Sequence, residues 1–445
     1  MTLYLNDHAI VVGGSIAGLL SARVLADYFE SVTIVETDTL PELPDARRGV
    51  PQSVQPHILL TKGYRIIAEL FPGIEDRLKA AGALPIDWAR EFYLFNRNSW
   101  NASSPSPSHI VSLTCSRPLL EWGIRQELAK MTNVQFYQQQ RVTGLVLHPS
   151  GKYITGVQLR SLVDSSYSEL AASLVVEAGG RRSQAPNWLQ NLGFTPPPET
   201  VVNPLLGYAT RRYRAPASTQ TDWKVMLISQ SPPDSTRLGY LAKIEGGEWI
   251  ATLGGYGGDF PPLDNDGFLD FARTLPSMEF YQAIKEAEPI SPIYAHRATA
   301  NRLRHYEQIV IPQGFITLGD AVCALCPVYG QGMTVSAKAA MVLSDWLARQ
   351  HNQRLIPSRF QKKLAQSNSF SWNVATSQDS RFPTTKGGSK PDRSGGLFAA
   401  YAERMLELTT TDSTIATVLL EVTQQLKSPL ALFSPQIVWR VLKNS

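Results

Sequence analysis

The start of the chain contains the feature that most restricts its fold. An apolar run, Ala9-Ile-Val-Val12, leads directly into the glycine-rich segment Gly13-Gly-Ser-Ile-Ala-Gly18. Apolar residues then recur at helical spacing, and a second apolar run, Val32-Thr-Ile-Val35, ends at Glu36. Parallel strands must be joined by a crossover connection, which is usually a helix. The sequence therefore predicts a β–α–β unit and an α/β fold built on a parallel sheet.

The glycine-rich segment matches the dinucleotide-binding pattern G-x-G-x-x-G, with Ser15 in place of the middle glycine. In this pattern Gly13 forms the tight turn, Ser15 lets the backbone approach a pyrophosphate, and Gly18 lets the helix contact the strand. The helix N-terminus directs N–H groups at the anion. Glu36 would accept a hydrogen bond from a ribose hydroxyl. A glycine turn without a ligand is the alternative, and the β–α–β context argues against it.

The composition fits a globular enzyme and excludes several other classes. Of the 445 residues, 43% are hydrophobic and 18% are charged, which excludes a disordered, collagen-like or coiled-coil chain. Lys and Arg (42) exceed Asp and Glu (38) by four without forming a basic stripe, so no nucleic-acid partner is expected. Three cysteines are too few to stabilise so long a chain through disulfide bonds, which indicates a reducing, cytoplasmic location.

No segment has the features of a membrane span or of a secretory signal. No apolar run approaches the roughly 20 residues that a spanning helix needs. Residues 1–8 lack the basic and apolar regions of a signal peptide. Peripheral contact with a membrane stays open.

The middle of the chain changes from helical to strand periodicity. Between about residues 205 and 256 the period becomes two, and Gly246-Gly247 separates two such runs as a tight hairpin turn. The aromatic residues of this region are Tyr208, Tyr213, Trp223, Tyr240, Trp249 and Tyr256. Most of these side chains are expected in the core, and those that face a bound cofactor would line an apolar pocket. From residue 315 the α/β pattern returns, with a long helix over about 332–350.

A second glycine-containing constellation follows the returning strand. Gly319-Asp320 ends the strand, and Pro327-Val-Tyr-Gly-Gln-Gly-Met333 forms a turn that opens the long helix. A carboxylate at a strand end can accept a hydrogen bond from a ribityl hydroxyl. N–H groups at a helix start can hold a partial negative charge. A loop with an N-capping aspartate would show the same pattern.

Several segments resemble flavoprotein monooxygenases of the para-hydroxybenzoate hydroxylase fold. Arg47-Arg-Gly-Val-Pro-Gln52, followed by His57, is similar to the RxGVPQ segment of bacterial polyether-type flavin epoxidases related to squalene epoxidase. Ser116-Arg-Pro-Leu-Leu-Glu-Trp122 is similar to the helix start where the family's Arg meets the flavin. Leu174-Val-Val-Glu-Ala-Gly-Gly-Arg-Arg-Ser183 resembles the family's LVVDATGRRS stretch. The resemblance covers most of the first 350 residues.

This resemblance implies an FAD-dependent monooxygenase. In the family, reduced flavin and O₂ form a C4a-hydroperoxide, which transfers one oxygen atom to the substrate. NAD(P)H, directly or through a separate flavin reductase as partner, would supply the electrons. Because the sequence assigns no protein acid or base, epoxidation of a small apolar alkene in secondary metabolism is favoured over hydroxylation. A flavin-dependent dehydrogenase or polyprenyl-type reductase, and a non-redox binding protein of the same fold, stay open.

The resemblance also assigns the site residues. The turn at the flavin ring would consist of Pro327, Gly330, Gln331 and Gly332. The residues expected to bind FAD are Gly13, Ser15, Ile16, Ala17, Gly18, Glu36, Arg47, Arg48, Arg117, Val142, Asp320, Gly330, Gly332 and Met333. His57 is expected to have a structural or cofactor-contacting role rather than to act as a base.

The implied architecture is a Rossmann-type, glutathione reductase-like FAD-binding domain with an inserted β-sheet substrate domain and a helical C-terminal region. The FAD-binding domain would comprise residues 1–75, 109–190 and 296–350. Residues 76–108 would form an excursion toward the substrate domain, and residues 191–295 the substrate domain itself. The helical C-terminal region would span 351–445, with a mobile loop over 377–396.

Three features depart from the family or invite another interpretation. Gly179 stands where members that use NADPH have an acid, and Glu177 replaces the aspartate of DATG, so the route of flavin reduction stays open. No Trp-x-Trp-x-Ile-Pro segment occurs, which disfavours a flavin halogenase. Cys323 and Cys326 form a C-x-x-C, but no second ligand pair follows at zinc-site spacing. No metal is expected, and plain packing is favoured over a thiol role.

Overall fold

The computed structural model describes residues 7–216, 220–349, 356–388 and 397–443, and the side chains of residues 397–399 are not among those described. The strands are β1 His8–Val12, β2 Ser31–Val35, β3 Leu84–Asp87, β4 Phe92–Asn96, β5 Ser99–Trp100, β6 Val111–Thr114, β7 Val134–Tyr137, β8 Gln140–Leu147, β9 Ile154–Ser161, β10 Tyr167–Ala171, β11 Leu174–Glu177, β12 Glu199–Val202, β13 Gly207–Arg214, β14 Val225–Ile228, β15 Arg237–Ile244, β16 Glu248–Gly255, β17 Glu288–Pro289, β18 Tyr294–His296, β19 Asn301–Arg304, β20 Phe315–Thr317 and β21 Cys323–Ala324. The helices are α1 Ile16–Leu25, α2 Thr61–Leu70, α3 Ile74–Ala80, α4 Arg117–Leu128, α5 Ala185–Asn191, α6 Asn265–Arg273, α7 Glu279–Ile284, α8 Gly332–Leu347, α9 Pro357–Asp379, α10 Leu397–Leu408, α11 Ser413–Thr423 and α12 Pro435–Lys443.

A five-stranded parallel sheet carries the first half of the site. Its strand order is β20-β11-β1-β2-β7, and each neighbouring pair is parallel. Strands β1, β2 and β11 are almost wholly buried, as expected for a parallel sheet that is covered on both faces. The predicted β–α–β unit is confirmed, since β1 and β2 are neighbours and α1 joins them.

The second large sheet forms a separate, mainly antiparallel layer. Its strand order is β17-β13-β16-β15-β14-β4-β5, and β18 also pairs with β13. The predicted hairpin turn at Gly246-Gly247 is confirmed, because it joins the antiparallel strands β15 and β16. Strand β4 pairs with β14, so chain from the predicted excursion contributes to this sheet. Aromatic residues packed with α6 and α7 fill one of its faces.

Several helices pack on one another in the core of the parallel sheet. Helix α8 packs on α1 and α2, and the long α9 packs on α8. The prediction for residues 332–350 is confirmed as far as Leu347, and position 350 lies outside the described residues. Helices α10, α11 and α12 share a small apolar core of their own. No helix in the described ranges combines the length and the apolarity that crossing a bilayer requires.

The prediction of a mobile loop over residues 377–396 is wrong at its start. Helix α9 continues through Asp379, because its last turn is anchored in the interior: Ala375 and Asp379 are both fully buried. Beyond the helix, the backbone of Lys386 exchanges two hydrogen bonds with that of Asn203. Residues 389–396 lie outside the described residues.

We predict that Gly18→Ala destabilises the protein by about 3 kcal/mol, the upper range for overpacking. A Cβ at Gly18 would lie 1.8 Å from the carbonyl oxygen of Gly13, so helix α1 must move off the sheet. Gly332→Ala is the matched control, because a Cβ there meets no atom within 4 Å. Urea unfolding of the two apoproteins measures the difference, and equal stabilities would contradict the packing described.

Candidate functional site

The first turn of the chain brings three backbone segments together. Gly13 has φ +100°, and its N–H donates to the carbonyl of Val35 at 2.9 Å. A Cβ on Gly13 would lie 2.9 Å from the carbonyl oxygen of Ala178, at the end of β11. Only glycine meets both conditions at this position. The turn therefore sits where β1, β2 and β11 end.

The N-terminus of α1 is left without a side-chain cap. Its N-cap residue, Ser15, makes no capping hydrogen bond. The first N–H groups of a helix have no partner within the helix, and together with the helix dipole they favour an anion. The Ser15 hydroxyl instead donates to Glu121 Oε2 at 2.9 Å and accepts from Arg117 Nη2 at 2.8 Å.

Glu36 lies where the sequence analysis expects a ribose acceptor, but protein groups already surround it. Its Oε2 accepts from the N–H of Gly14 at 2.8 Å and lies 3.1 Å from Arg47 Nη1. Its Oε1 accepts from the N–H of Thr37 at 2.6 Å and from that of Asp38 at 3.1 Å. A ribose hydroxyl at Glu36 would therefore share the carboxylate with these donors.

Arg47 is the centre of a buried ion network. Its Nε donates to Glu121 Oε1 at 2.7 Å, its Nη1 to Asp38 Oδ2 at 2.8 Å, and its Nη2 to the carbonyl of Gly14 at 2.9 Å. Burial opposes the charge, but the carboxylates of Glu121 and Glu36 raise the pKa of Arg47 above its usual value. The neighbouring predicted residue, Arg48, is exposed, so of the pair Arg47 is the one that lies in the buried network.

Glu121 is a site residue that the sequence analysis did not identify. It follows Arg117 by four residues on α4, so the two side chains share one helix face, with 3.3 Å between Arg117 Nη2 and Glu121 Oε2. Although burial opposes ionisation, Arg117 and Arg47 lower the pKa of Glu121. Burial lowers the pKa of Arg117, whose Nε finds no hydrogen-bond partner among the described residues. The i,i+4 spacing is the signal that could have indicated Glu121.

Asp320 lies against the start of α1. Gly319 before it has φ +63°, and a Cβ there would lie 2.7 Å from the Cβ of Ala17. The Asp320 carboxylate is partly exposed, and Arg181 Nε lies 3.8 Å from its Oδ2. Burial raises the pKa of Asp320, while Arg181 and Arg117 act in the opposite direction. Within the described residues this carboxylate accepts no hydrogen bond, which makes it an available acceptor.

The second glycine turn packs on the segment that contains His57. Residues Pro327–Tyr329 form a 3₁₀ turn, Gly330 has φ +63°, and a Cβ on Gly330 would lie 3.0 Å from the Cβ of Ile58. The side chain of Gln331 is buried, and its Oε1 has no hydrogen-bond partner among the described residues. Burial, helped by Arg117, lowers the pKa of His57 to about 3, so its imidazole is neutral at physiological pH.

The remaining predicted site residues contribute apolar packing. Ile16 and Met333 are buried at the starts of α1 and α8, and Val142 is buried in the same core. Val142 therefore presents no side-chain atom to the ion network, although Gln140 on the same strand donates its N–H to the carbonyl of Glu36. For these residues the structure describes a packing role, and their contact with a cofactor stays a prediction.

Three buried titratable side chains lie at the edges of this region. Burial raises the pKa of Glu177 to about 7, and its Oε1 accepts from the N–H of Gly179 at 3.1 Å. Burial also raises the pKa of Cys323 to about 12, and it raises that of Cys326 well above its usual value. Both thiols are therefore protonated and unreactive at neutral pH, which agrees with the packing interpretation of the C-x-x-C.

An apolar cluster faces the second glycine turn. Its buried members are Leu206, Tyr208, Leu238, Tyr256, Cys326 and Phe382, with Val328 and Tyr329 packed against them. Of the aromatic residues expected in the substrate domain, Tyr208 and Tyr256 belong to this cluster. Tyr213, Trp223 and Trp249 instead pack with α6 and α7. These residues, called the turn-facing cluster below, form a packed apolar surface beside the turn.

The sequence comparisons identify the family of the chain. No family model matches it. Over 351 residues, the chain is 34% identical to protein Rv3254 of Mycobacterium tuberculosis, a match that covers 75% of this chain and 72% of that protein. The chain therefore belongs to the same family as protein Rv3254.

Comparison with solved structures identifies the fold. The p-nitrophenol 4-monooxygenase PnpA from Pseudomonas putida superposes with a TM-score of 0.66 at 15% identity, covering 95% of this chain and 99% of that one. A flavoprotein/dehydrogenase from Cytophaga hutchinsonii gives 0.67 at 11% identity, covering 99% and 98%. A triple mutant of the flavin-dependent brominase Bmp2 gives 0.66 at 14% identity, covering 98% and 99%. The predicted flavoprotein monooxygenase fold is thus confirmed.

We predict that Arg47→Gln destabilises the apoprotein by about 3 kcal/mol, because it leaves buried carboxylates without their counter-ion. Arg48→Gln, the adjacent and exposed control, should change stability by no more than about 0.5 kcal/mol. Chemical denaturation of both variants measures the effect. Equal stabilities would show that Arg47 does not hold the network together.

Proposed function

We propose that this member of the Rv3254 family is an FAD-dependent monooxygenase that acts on an apolar organic substrate. The observation that carries this proposal is the approach of Gly319 to Ala17. This contact places an uncapped helix N-terminus beside an available carboxylate, Asp320. The second glycine turn follows in the same chain segment and opens α8, which packs on α1. An anion site, a hydroxyl acceptor and a set of turn N–H groups fit the three parts of FAD.

Each part of FAD has partners in this arrangement. The N-terminus of α1, with Arg117 beside Ser15, would hold the pyrophosphate. Glu36 would bind the ribose of the adenosine half, and Asp320 the ribityl chain. The backbone N–H groups of residues 330–332 would face the polar edge of the flavin ring. The unpaired buried Nε of Arg117 supports this assignment, because an anion would satisfy it.

The proposed reaction consumes one O₂ and one NAD(P)H. Substrate, O₂, NAD(P)H and H⁺ give oxygenated substrate, NAD(P)⁺ and water. Bound FAD supplies the electron transfer and the activation of O₂. The chain itself would bind the substrate beside the turn-facing cluster, orient it and exclude water. We infer that the enzyme is cytoplasmic, acts in secondary metabolism and takes a small apolar substrate.

The oxygen acceptor is an alkene or an electron-rich ring. The resemblance of residues 47–52 to the RxGVPQ segment of flavin epoxidases supports an alkene. For the electron supply, Gly179 offers no acid and the sequence has no second G-x-G-x-x-G unit. Both features favour a separate flavin reductase as partner over fast direct reduction by NAD(P)H.

A flavin-dependent dehydrogenase or reductase is the second candidate. The similar fold of the Cytophaga flavoprotein/dehydrogenase supports it, because the same cofactor site can serve oxidation without oxygen insertion. A binding protein of this fold without redox activity is the third. Such a binding protein would not need the Asp320 carboxylate to be available as an acceptor for a hydroxyl group.

Labelled oxygen separates the first two candidates. FAD-loaded protein with a reducing system and a panel of alkenes and phenols is exposed to ¹⁸O₂, and products are analysed by mass spectrometry. One ¹⁸O atom per product molecule is the expected result. An oxidised product that carries no label would establish the dehydrogenase.

We predict that Asp320→Ala weakens FAD binding about tenfold to a hundredfold, the effect of losing one charge-assisted hydrogen bond. Asp345→Ala, an exposed aspartate on α8, is the control and should bind FAD like the parent. Fluorescence titration of each apoprotein with FAD gives the dissociation constants. Unchanged affinity in Asp320→Ala would contradict the assignment of the ribityl chain.

A further inference from the structure

The C-terminal helices form a small unit with its own apolar core, anchored to the rest of the chain. Residues of α10, α11 and α12 build this core, and the 3₁₀ turn Pro429–Phe433 packs against it. Before α11, the carbonyl of Thr409 accepts the N–H of Ala102 at 2.8 Å. After α11, Gln424 Oε1 accepts the N–H of Thr61 at 2.6 Å. The outer surface of the unit therefore has a defined position on the protein.

Helix α12 is apolar on two opposite sides. Ile437 and Val441, four residues apart, are buried in the core of the unit. Trp439 and Leu442 lie three residues apart on the other side of the helix and are 58% and 63% exposed. A surface helix of a globular protein has one apolar stripe and a polar opposite face. The packing of the described residues accounts for the first apolar side of α12 and not for the second.

The 3₁₀ turn before α12 repeats this arrangement. Leu432 packs against the core, whereas Leu430 and Phe433 are 76% and 42% exposed. Side chains three residues apart eclipse each other in a 3₁₀ helix, so these two point to the same side. The turn packs on α12, and only Ser434 separates the two elements. Single exposed apolar side chains are common on proteins, but a group of them marks an interaction site. The group called the outer apolar face below consists of Leu430, Phe433, Trp439 and Leu442.

The charge beside this face is positive. Residues 422–445 include three basic side chains and no acidic one. Lys427 pairs with Glu421, and Arg440 pairs with Asp412. In both pairs the cation is more exposed than the carboxylate, so the positive partner is the one presented to solvent.

A cation also lies on the face itself. The ammonium group of Lys443 lies over the ring of Trp439, 4.7 Å from its centroid. Tryptophan and lysine together are typical of protein surfaces that meet lipid headgroups. In a symmetric contact, two copies of this chain would bring the same basic groups together, which like charges oppose. The chemistry of the face therefore favours a lipid surface with negative headgroups over a second copy of the chain.

We propose that the outer apolar face is a membrane-binding surface and that its partner is a bilayer with anionic headgroups. The four apolar side chains enter the boundary between the headgroups and the acyl chains, while the cations of Lys427, Arg440 and Lys443 stay among the phosphates. The attachment is peripheral and reversible, because only four side chains leave the water. It does not depend on the proposed function, since no residue assigned to the flavin site takes part.

Sedimentation of the whole chain with lipid vesicles tests the proposal. The vesicles consist of phosphatidylcholine alone, or of equal parts of phosphatidylcholine and phosphatidylglycerol. The proteins are the parent, Leu442→Ser, the double variant Trp439→Ser/Leu442→Ser and, as control, Leu43→Ser. Leu43 matches Leu442 because it is a leucine that is 66% exposed, but it lies between the acidic residues Glu42 and Asp45.

The parent should bind the phosphatidylglycerol vesicles at least about tenfold more tightly than the neutral ones, and added salt should reduce this difference. Leu442→Ser should weaken binding about tenfold and the double variant about a hundredfold, because each variant loses the transfer of apolar side chains out of water. Leu43→Ser should bind like the parent. All the substituted side chains are exposed and the core of the unit is unchanged, so the variants should fold, which circular dichroism checks.

Three results would overturn the proposal. The first is a parent that sediments with neither kind of vesicle, and the second is a double variant that sediments as the parent does. The third is a parent that forms a dimer in sedimentation velocity while the double variant is a monomer, because the face would then join two copies of the chain. A chain that binds vesicles but does not take up FAD would refute the proposed function and leave this proposal intact.

Discussion

The close packing at the start of α1 is the constraint on which the rest of the structure depends. The helix begins against its own turn, where Gly18 faces the carbonyl of Gly13, and against Gly319 of a segment some 300 residues later. No side chain beyond hydrogen fits at either glycine without displacing its neighbour. Among the described residues no side chain caps the N-terminus of α1, and this packing sets Asp320 beside it. The position of the proposed cofactor site thus follows from the packing of α1 against its own turn and against Gly319.

The charged side chains around the start of α1 form a buried network of ion pairs. Arg47 joins two carboxylates from the segment that follows β2 to one from α4, and Arg117 and Ser15 extend the network toward the helix N-terminus. Such a network contributes little net stability, because desolvation offsets the attraction. It does fix the positions of the groups that would meet the pyrophosphate, since Arg47 ties three chain segments together through Glu36, Asp38 and Glu121.

Local patterns predicted the fold well and the site in part. The β–α–β unit, the Gly246-Gly247 hairpin and the long helix from Gly332 follow from periodicity and turn chemistry, which are properties of short segments. Glu121 was not identified, because its role depends on a partner 74 residues away, Arg47. The extension of α9 to Asp379 was missed for the same reason: tertiary burial holds a polar segment in a helix.

The most direct test of this account is to compare the binding of FAD and FMN to the apoprotein. FMN has the flavin ring and the ribityl chain but lacks the pyrophosphate and the adenosine half. If the N-terminus of α1 and the surrounding arginines hold a pyrophosphate, FAD should bind at least about a hundredfold more tightly than FMN. Equal affinities, or a chain that stays colourless with both, would contradict the account.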